Sequence, residues 1–238
     1  MRSNFYTCNC TQLPQNGSIW PVISKQGVLY MIDMNNLNQQ LQLGREELAV
    51  NEKAILSLQR RIAIWRAMID ESDADLSYHI RLRLNTMCVR HVQDVWYRAF
   101  PDDSGVEDLL TLAQNVADGQ ADPVEAEERA RSYFEELLFD VELDSITEPA
   151  TFVADAAASA VMSACHRDLY YEVDMDSDLK DDDLLPDSLD LSYACSAAAA
   201  RGLNWQATKD VDVNARRAFW TWYLDEAIPA AMNGKSLK

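Results

Sequence analysis

Apolar residues recur along most of this chain at helical spacing. Between Arg45 and Ile69, the residues Leu48, Ile55, Leu58, Ile62, Trp65 and Ile69 follow one another at intervals of three, four or seven. Such spacing stacks side chains on one face of a helix and predicts a continuous helix over 45–69. A second helix is predicted over 76–100, with Ile80, Leu84, Met87, Cys88, His91, Val95 and Trp96 on its apolar stripe, stopped by Phe100-Pro101-Asp102-Asp103.

The next two helices carry clear punctuation. One runs over 106–118 and closes at Gly119, the residue type that accepts a left-handed backbone at a helix end. The following one opens with Asp122 as N-cap, Pro123 in the first turn and Glu125 three residues after the cap. Tyr133, Phe134, Leu137, Leu138 and Val141 are expected on its buried side.

A helix from Pro149 to about Tyr171 carries Ala156, Ala157, Ala160, Val161, Ala164 and Cys165, small enough to let neighbours approach closely, and is expected to be central. Two more are predicted, over 188–201 before Gly202 and over 211–232. The first 35 residues differ: Pro14, Gly17, Pro21 and Gly27 among several Asn and Gln show no helical period. They read as an irregular or strand-like N-terminal arm, with Met31 and Met34 at its end as alternative starts. The fold class is therefore all-α, about eight helices in one multi-helix domain over 36–238.

Composition agrees with helix: 7 Gly and 7 Pro in 238 residues, and 48% hydrophobic residues, enough for a substantial core. Charge changes the picture further. The 39 acidic and 21 basic side chains give a net charge of −18, which repels nucleic acid and anionic membranes and favours a basic protein partner. No secretory signal or spanning stretch is visible, and the odd set Cys8, Cys10, Cys88, Cys165 and Cys195 fits a reducing compartment, so a cytoplasmic protein is expected.

Half of that charge sits over 168–190, where Asp168, Glu172, Asp174, Asp176, Asp178, Asp181, Asp182, Asp183, Asp187 and Asp190 face a single Lys180. The run Asp174-Met175-Asp176-Ser177-Asp178 resembles the start of a calcium loop, but Leu179 stands where the sharp turn needs Gly and Leu185 where a bidentate Glu belongs. The run is either a solvated connection or a surface that imitates phosphate spacing toward a basic cleft. On the second reading Asp174, Asp176, Asp178, Asp181, Asp182 and Asp183 are candidate binding residues.

Catalytic motifs fail one by one. His166-Arg167-Asp168-Leu169 echoes a kinase catalytic loop, but Val173 stands where the metal-binding Asn is needed. The pair Cys8 and Cys10 lacks two further metal ligands, and His91 reads as a core histidine. Phosphate loops, nucleophile elbows and zinc-binding His-Glu-x-x-His pairs are missing. No catalytic residue, metal or cofactor is assigned. Trp222, off the main stripe of the last helix, is either the rim of the core or an anchor for a partner.

One ordered series of phrases carries a family resemblance. Arg217-Ala218-Phe219-Trp220-Thr221-Trp222-Tyr223-Leu224-Asp225-Glu226-Ala227-Ile228-Pro229, preceded by Ala197 to Gly202 and Trp205, is similar to the end of the fifth-named family of bacterial polymorphic-toxin immunity proteins. Upstream, Gln59 to Trp65, Arg83-Leu84 through Val95-Trp96 and Phe100-Pro101-Asp102, then Leu109-Leu110 through Asp118-Gly119, fall in the family's order. The resemblance covers about residues 40–232, departing at Arg201, where a small residue is expected, and at Met232, where an aromatic is.

It implies a helical cytoplasmic protein that protects its producer by binding a cognate toxin, and it brings no catalytic residues. A basic nuclease toxin would match the acidity. The competing classes are a helical adaptor for another protein and a hydrolase using paired carboxylates with a metal. The second lacks the Glu-x-x-His pairs usual in metal-binding bundles.

Overall fold

The computed structural model describes residues 22–23, 29–30, 32–171 and 189–234. Two two-residue strands, β1 (Val22–Ile23) and β2 (Leu29–Tyr30), pair antiparallel with Val22 opposite Tyr30. The rest of the predicted N-terminal arm up to residue 31 lies outside the described residues. Everything regular that follows is helical: α1 (Met34–Val50), α2 (Leu58–Ala67), α3 (Ala74–Ala99), α4 (Gly105–Ala117), α5 (Pro123–Asp140), α6 (Thr147–Cys165), α7 (Leu191–Ala200), α8 (Val213–Trp222) and α9 (Ile228–Met232). A single 3₁₀ turn, Thr208–Asp210, precedes α8.

The all-α class stands. Helices α8 and α9 are joined without a break by a π-helical turn, Tyr223–Ala227, so the described residues form eight continuous helical rods. Pro229 explains the wide turn. It has no N–H for the carbonyl four residues back and its ring crowds that carbonyl, while the Ile228 N–H reaches Tyr223 O five residues back.

The predicted helix over 45–69 is two helices. Asp33 caps α1, its carboxylate accepting from the N–H groups of Asn35 and Asn36, and Leu37, Leu41, Gly44 and Leu48 form the buried stripe. The chain then breaks. Asn51 Oδ1 accepts from the N–H groups of Lys53 and Ile55, Ala54 adopts φ +54°, and Ser57 caps α2 by accepting from Arg60 N. A residue at positive φ cannot continue a right-handed helix. Arg217 from α8 closes the end of α1 by donating to the carbonyls of Leu48 and Asn51.

Helix α6 is the axis, packed by α3, α4, α5 and α7. Ala150, Val153, Ala154, Ala156, Ala157 and Val161 are all fully buried, as expected of a small-residue helix enclosed on all sides. It ends at Cys165, short of the expected Tyr171. The reason lies on α3: Tyr78 donates to Ala164 O, and Arg81 to the carbonyls of Ser163, His166 and Asp168, so side chains take over carbonyls that a continuing helix would have bonded.

Helix α7 stops just before Gly202, as expected. Arg201, not Gly202, takes the left-handed conformation, at φ +55°. Gly202 is needed for space, since a Cβ there would lie 2.1 Å from Gln206 Oε1 and 2.6 Å from Val211 Cγ1.

Two further corrections concern faces. His91 is exposed, and Val89 and Val92 take the buried places on α3. On α5 only Ala126 and Ala130 are fully buried; Tyr133, Phe134, Leu137 and Val141 are half-buried, and Leu138 is exposed. No helix among the described residues is long and apolar enough to cross a membrane.

Candidate functional site

Asp174, Asp176, Asp178, Asp181, Asp182 and Asp183 lie outside the described residues, but the two ends of their segment are held by specific contacts. At the upstream end, Asp168 Oδ1 accepts from Tyr170 N at 2.7 Å and Tyr170 Oη donates to Glu71 at 2.9 Å. The Tyr171 ring stacks on His166 with centroids 4.6 Å apart and lies 5.2 Å from the Arg81 guanidinium carbon.

At the downstream end Asp190 does two jobs. Oδ1 caps α7 by accepting from Tyr193 N at 3.0 Å and Ser192 Oγ at 2.6 Å, while Oδ2 accepts from Arg61 Nη2 at 2.6 Å and Nε at 3.1 Å. Arg61 is fully buried, with Tyr193 and Trp220 rings each 5.6 Å from its guanidinium carbon.

Trp222 sits on a separate surface, where α8 meets the π turn. Its ring stacks on His91 of α3 at 3.7 Å with planes 9° apart, and Phe219 lies 5.8 Å away on a tilted plane. The side chain is half-buried and lines a shallow groove with Asn214, Arg217, Ala218, Thr221, Asp225 and Glu226. Asp225 is bound by Arg45 of α1 at 2.6 Å.

Although His91 keeps an exposed edge, the Trp222 ring stacked on one face partly desolvates the imidazole and pushes its pKa below the usual 6.5, partly opposed by the negative charge of Glu226. A base whose folded pKa is lowered favours folding in its neutral form. That contribution is complete above the unfolded value, near 6.5, and is lost as pH falls from there through the folded pKa. His91→Phe keeps the stack and removes the titration. Thermal melting from pH 8 to pH 5 is therefore expected to show a shallower loss in the variant than in the parent; equal slopes would contradict the assignment.

Among the described residues, the other histidines each face a single carboxylate. His79 faces Asp75 at 3.5 Å and His166 faces Glu127 at 3.7 Å, each remote from the Trp222 stack. No group of three or more His, Cys, Asp or Glu among the described residues could hold a metal. Burial raises the Cys195 thiol well above its ordinary range, and burial with nearby Glu127 and Asp122 raises Cys165 to about 11. Thiols so placed are poor nucleophiles at neutral pH.

Sequence reasoning overlooked a different set of residues. Phe139 is 90% exposed, and Leu138, Leu143 and Ile146 are each about half exposed or more. They occupy the last turn of α5 and the turn into α6. A signal was available: Leu137, Leu138 and Phe139 are consecutive, and three neighbouring positions on a helix cannot all face one side.

Large exposed apolar side chains grouped on a helical surface are a feature of proteins that bind other proteins. The chain belongs to the Immunity protein Imm5 family, whose family model matches residues 41–230. It is thus an immunity protein, and its partner is a toxin. No curated protein matches the chain.

Proposed function

We propose that this immunity protein acts in the producer's cytoplasm by occupying a basic surface of its cognate toxin, without chemistry of its own. The observation that carries the proposal is the charge: nine net negative charges over 168–190 out of −18 for the chain. A surface so acidic accelerates encounter with a basic cleft and repels nucleic acid that would compete for it. A nuclease is the toxin class whose substrate-binding face has that charge.

The test is growth of a susceptible bacterium expressing the toxin gene found beside this one, with and without this protein, followed by co-purification. Rescue with a stable complex supports the reading. Rescue without a complex would assign chemistry instead, and absence of rescue would return the protein to the adaptor class.

The acidic segment makes a kinetic prediction within that reading. Asp181→Asn, Asp182→Asn and Asp183→Asn together are expected to slow toxin association by about tenfold at low salt and to flatten its salt dependence, with little change in dissociation. Unchanged association rates across a salt series would remove the segment from the binding surface.

A further inference from the structure

The apolar corner where α5 hands over to α6 combines three properties that rarely coincide on a surface by accident. Its side chains are large and exposed: Phe139 at 90%, Ile146 at 57%, Leu143 at 56% and Leu138 at 46%. Four such side chains within nine residues of chain amount to more than the single apolar residues scattered over any protein surface. Exposed aromatic and aliphatic anchors of this kind supply most of the energy at protein interfaces when they enter a pocket.

The corner is also held in shape by its own hydrogen bonds. Asp144 Oδ1 accepts from Ile146 N at 2.7 Å and Thr147 N at 2.8 Å; Thr147 Oγ1 donates to Glu142 O at 2.7 Å and accepts from Asp144 N at 2.9 Å. The two backbone donors hold the Asp144 carboxyl below the usual carboxylate range. Leu143 and Ile146 flank this closed turn, so little ordering cost remains when a partner covers them.

The third property selects the partner. From Ser132 to Glu148 the chain carries Glu135, Glu136, Asp140, Glu142, Asp144 and Glu148 and no Lys or Arg. Apolar anchors whose ring of charged neighbours along this stretch of chain consists of carboxylates fit an apolar socket rimmed by Lys and Arg. The same ring opposes a second copy of this chain, because a two-fold contact would place carboxylates against carboxylates. It equally opposes this chain's own acidic segment.

We infer that Phe139, Leu143 and Ile146, with Leu138 beside them, form a toxin-contact surface whose partner is a basic-rimmed apolar pocket on the cognate toxin. This rests on the immunity reading above and names the place where the toxin is gripped rather than steered. Val124, at 74% exposure the next most open apolar residue of α5, lies at the other end of that helix and is outside the surface.

The experiment uses the full chain and, as the probe, the purified toxin domain encoded beside it. Binding kinetics are compared for the parent, for Phe139→Ala/Leu143→Ala/Ile146→Ala and for Val124→Ala, each with its melting temperature. Sedimentation of the immunity protein alone is recorded in parallel. The expected result is at least a hundredfold loss of affinity in the triple variant, carried mainly by faster dissociation, with the Val124 variant and both melting temperatures unchanged. Because the substituted side chains face solvent, an unfolded variant is itself against the proposal; Phe139→Ala alone, losing at least tenfold, is the second measurement.

Full toxin binding by the triple variant would overturn the surface and leave the immunity reading intact. A parent dimer that the triple variant dissociates, with toxin binding unchanged, would assign the corner to a second copy and overturn it likewise. A parent that neither binds nor neutralises the toxin would remove the immunity reading, and the surface with it.

Discussion

Asp190→Ala is expected to destabilise the protein by about 3–5 kcal/mol, the range for breaking a buried ion pair by removing one partner. Arg61 is fully buried, and Asp190 supplies the carboxylate at 2.6 Å that balances its charge. The Leu56 carbonyl and the Tyr193 and Trp220 rings would still surround the guanidinium, but none of them carries a full negative charge. The same substitution removes the cap of α7, adding roughly 1 kcal/mol. Against a typical total of about 5–15 kcal/mol, that loss is severe.

The origin of the cost can be separated from the shape of the site. Arg61→Met deletes the buried cation at similar volume, and Asp190→Ser retains a capping oxygen for Tyr193 N. The double variant Arg61→Met/Asp190→Ser is expected to recover most of the stability lost by Asp190→Ala alone, because a buried pair replaced as a unit leaves no unbalanced charge. Urea unfolding followed by circular dichroism measures all three. A cost below about 1 kcal/mol for Asp190→Ala, or a double variant worse than it, would refute the account.

This pair also shows what local sequence reading can and cannot reach. The N-cap at Asp122 with Pro123, and the stop at Gly119, were legible because a cap is satisfied within four residues of itself. The end of α6 was not, because its carbonyls are closed by Tyr78 and Arg81, more than 80 residues away in the chain. Leu48, Ile55 and Leu58 kept helical spacing across a loop by coincidence. The cap residues Asn51 and Ser57 were present, but Ala54 at positive φ gives no sign of itself in sequence.

The surfaces were less legible than the helices. An Asn- and Gln-rich stretch masked the first half of α1, where Leu37 and Leu41 alone mark the buried side. His91 was placed in the core because a stripe read from spacing tolerates a rotation of one residue, which exchanges His91 for Val92. Phe139 is exposed near the end of α5, and which face of a helix end its neighbours cover depends on residues far along the chain. Composition carries the proposal of a basic partner; the exposed apolar side chains at the α5 to α6 corner required the three-dimensional arrangement.

The central place expected for a helix of small residues is the one α6 takes, although its end differs, and it makes the second large prediction. Ala157 is fully buried on a helix packed by α3, α4, α5 and α7. Replacing it with Leu improves neither burial nor helix propensity enough to matter, since Ala is already the best helix former. It adds three heavy atoms where backbones approach one another, and overpacking of this kind costs about 1–3 kcal/mol where neighbours can shift. Here a shift toward one side presses on a helix at the other, so a cost at or above about 3 kcal/mol is expected. Thr111→Leu on the exposed side of α4 adds comparable bulk to a helix and is expected to change stability by no more than about 0.5 kcal/mol. Parallel urea titrations of the two variants decide the matter: similar midpoints would mean that α6 has room around it, and the reading of its alanines as spacing elements would fall.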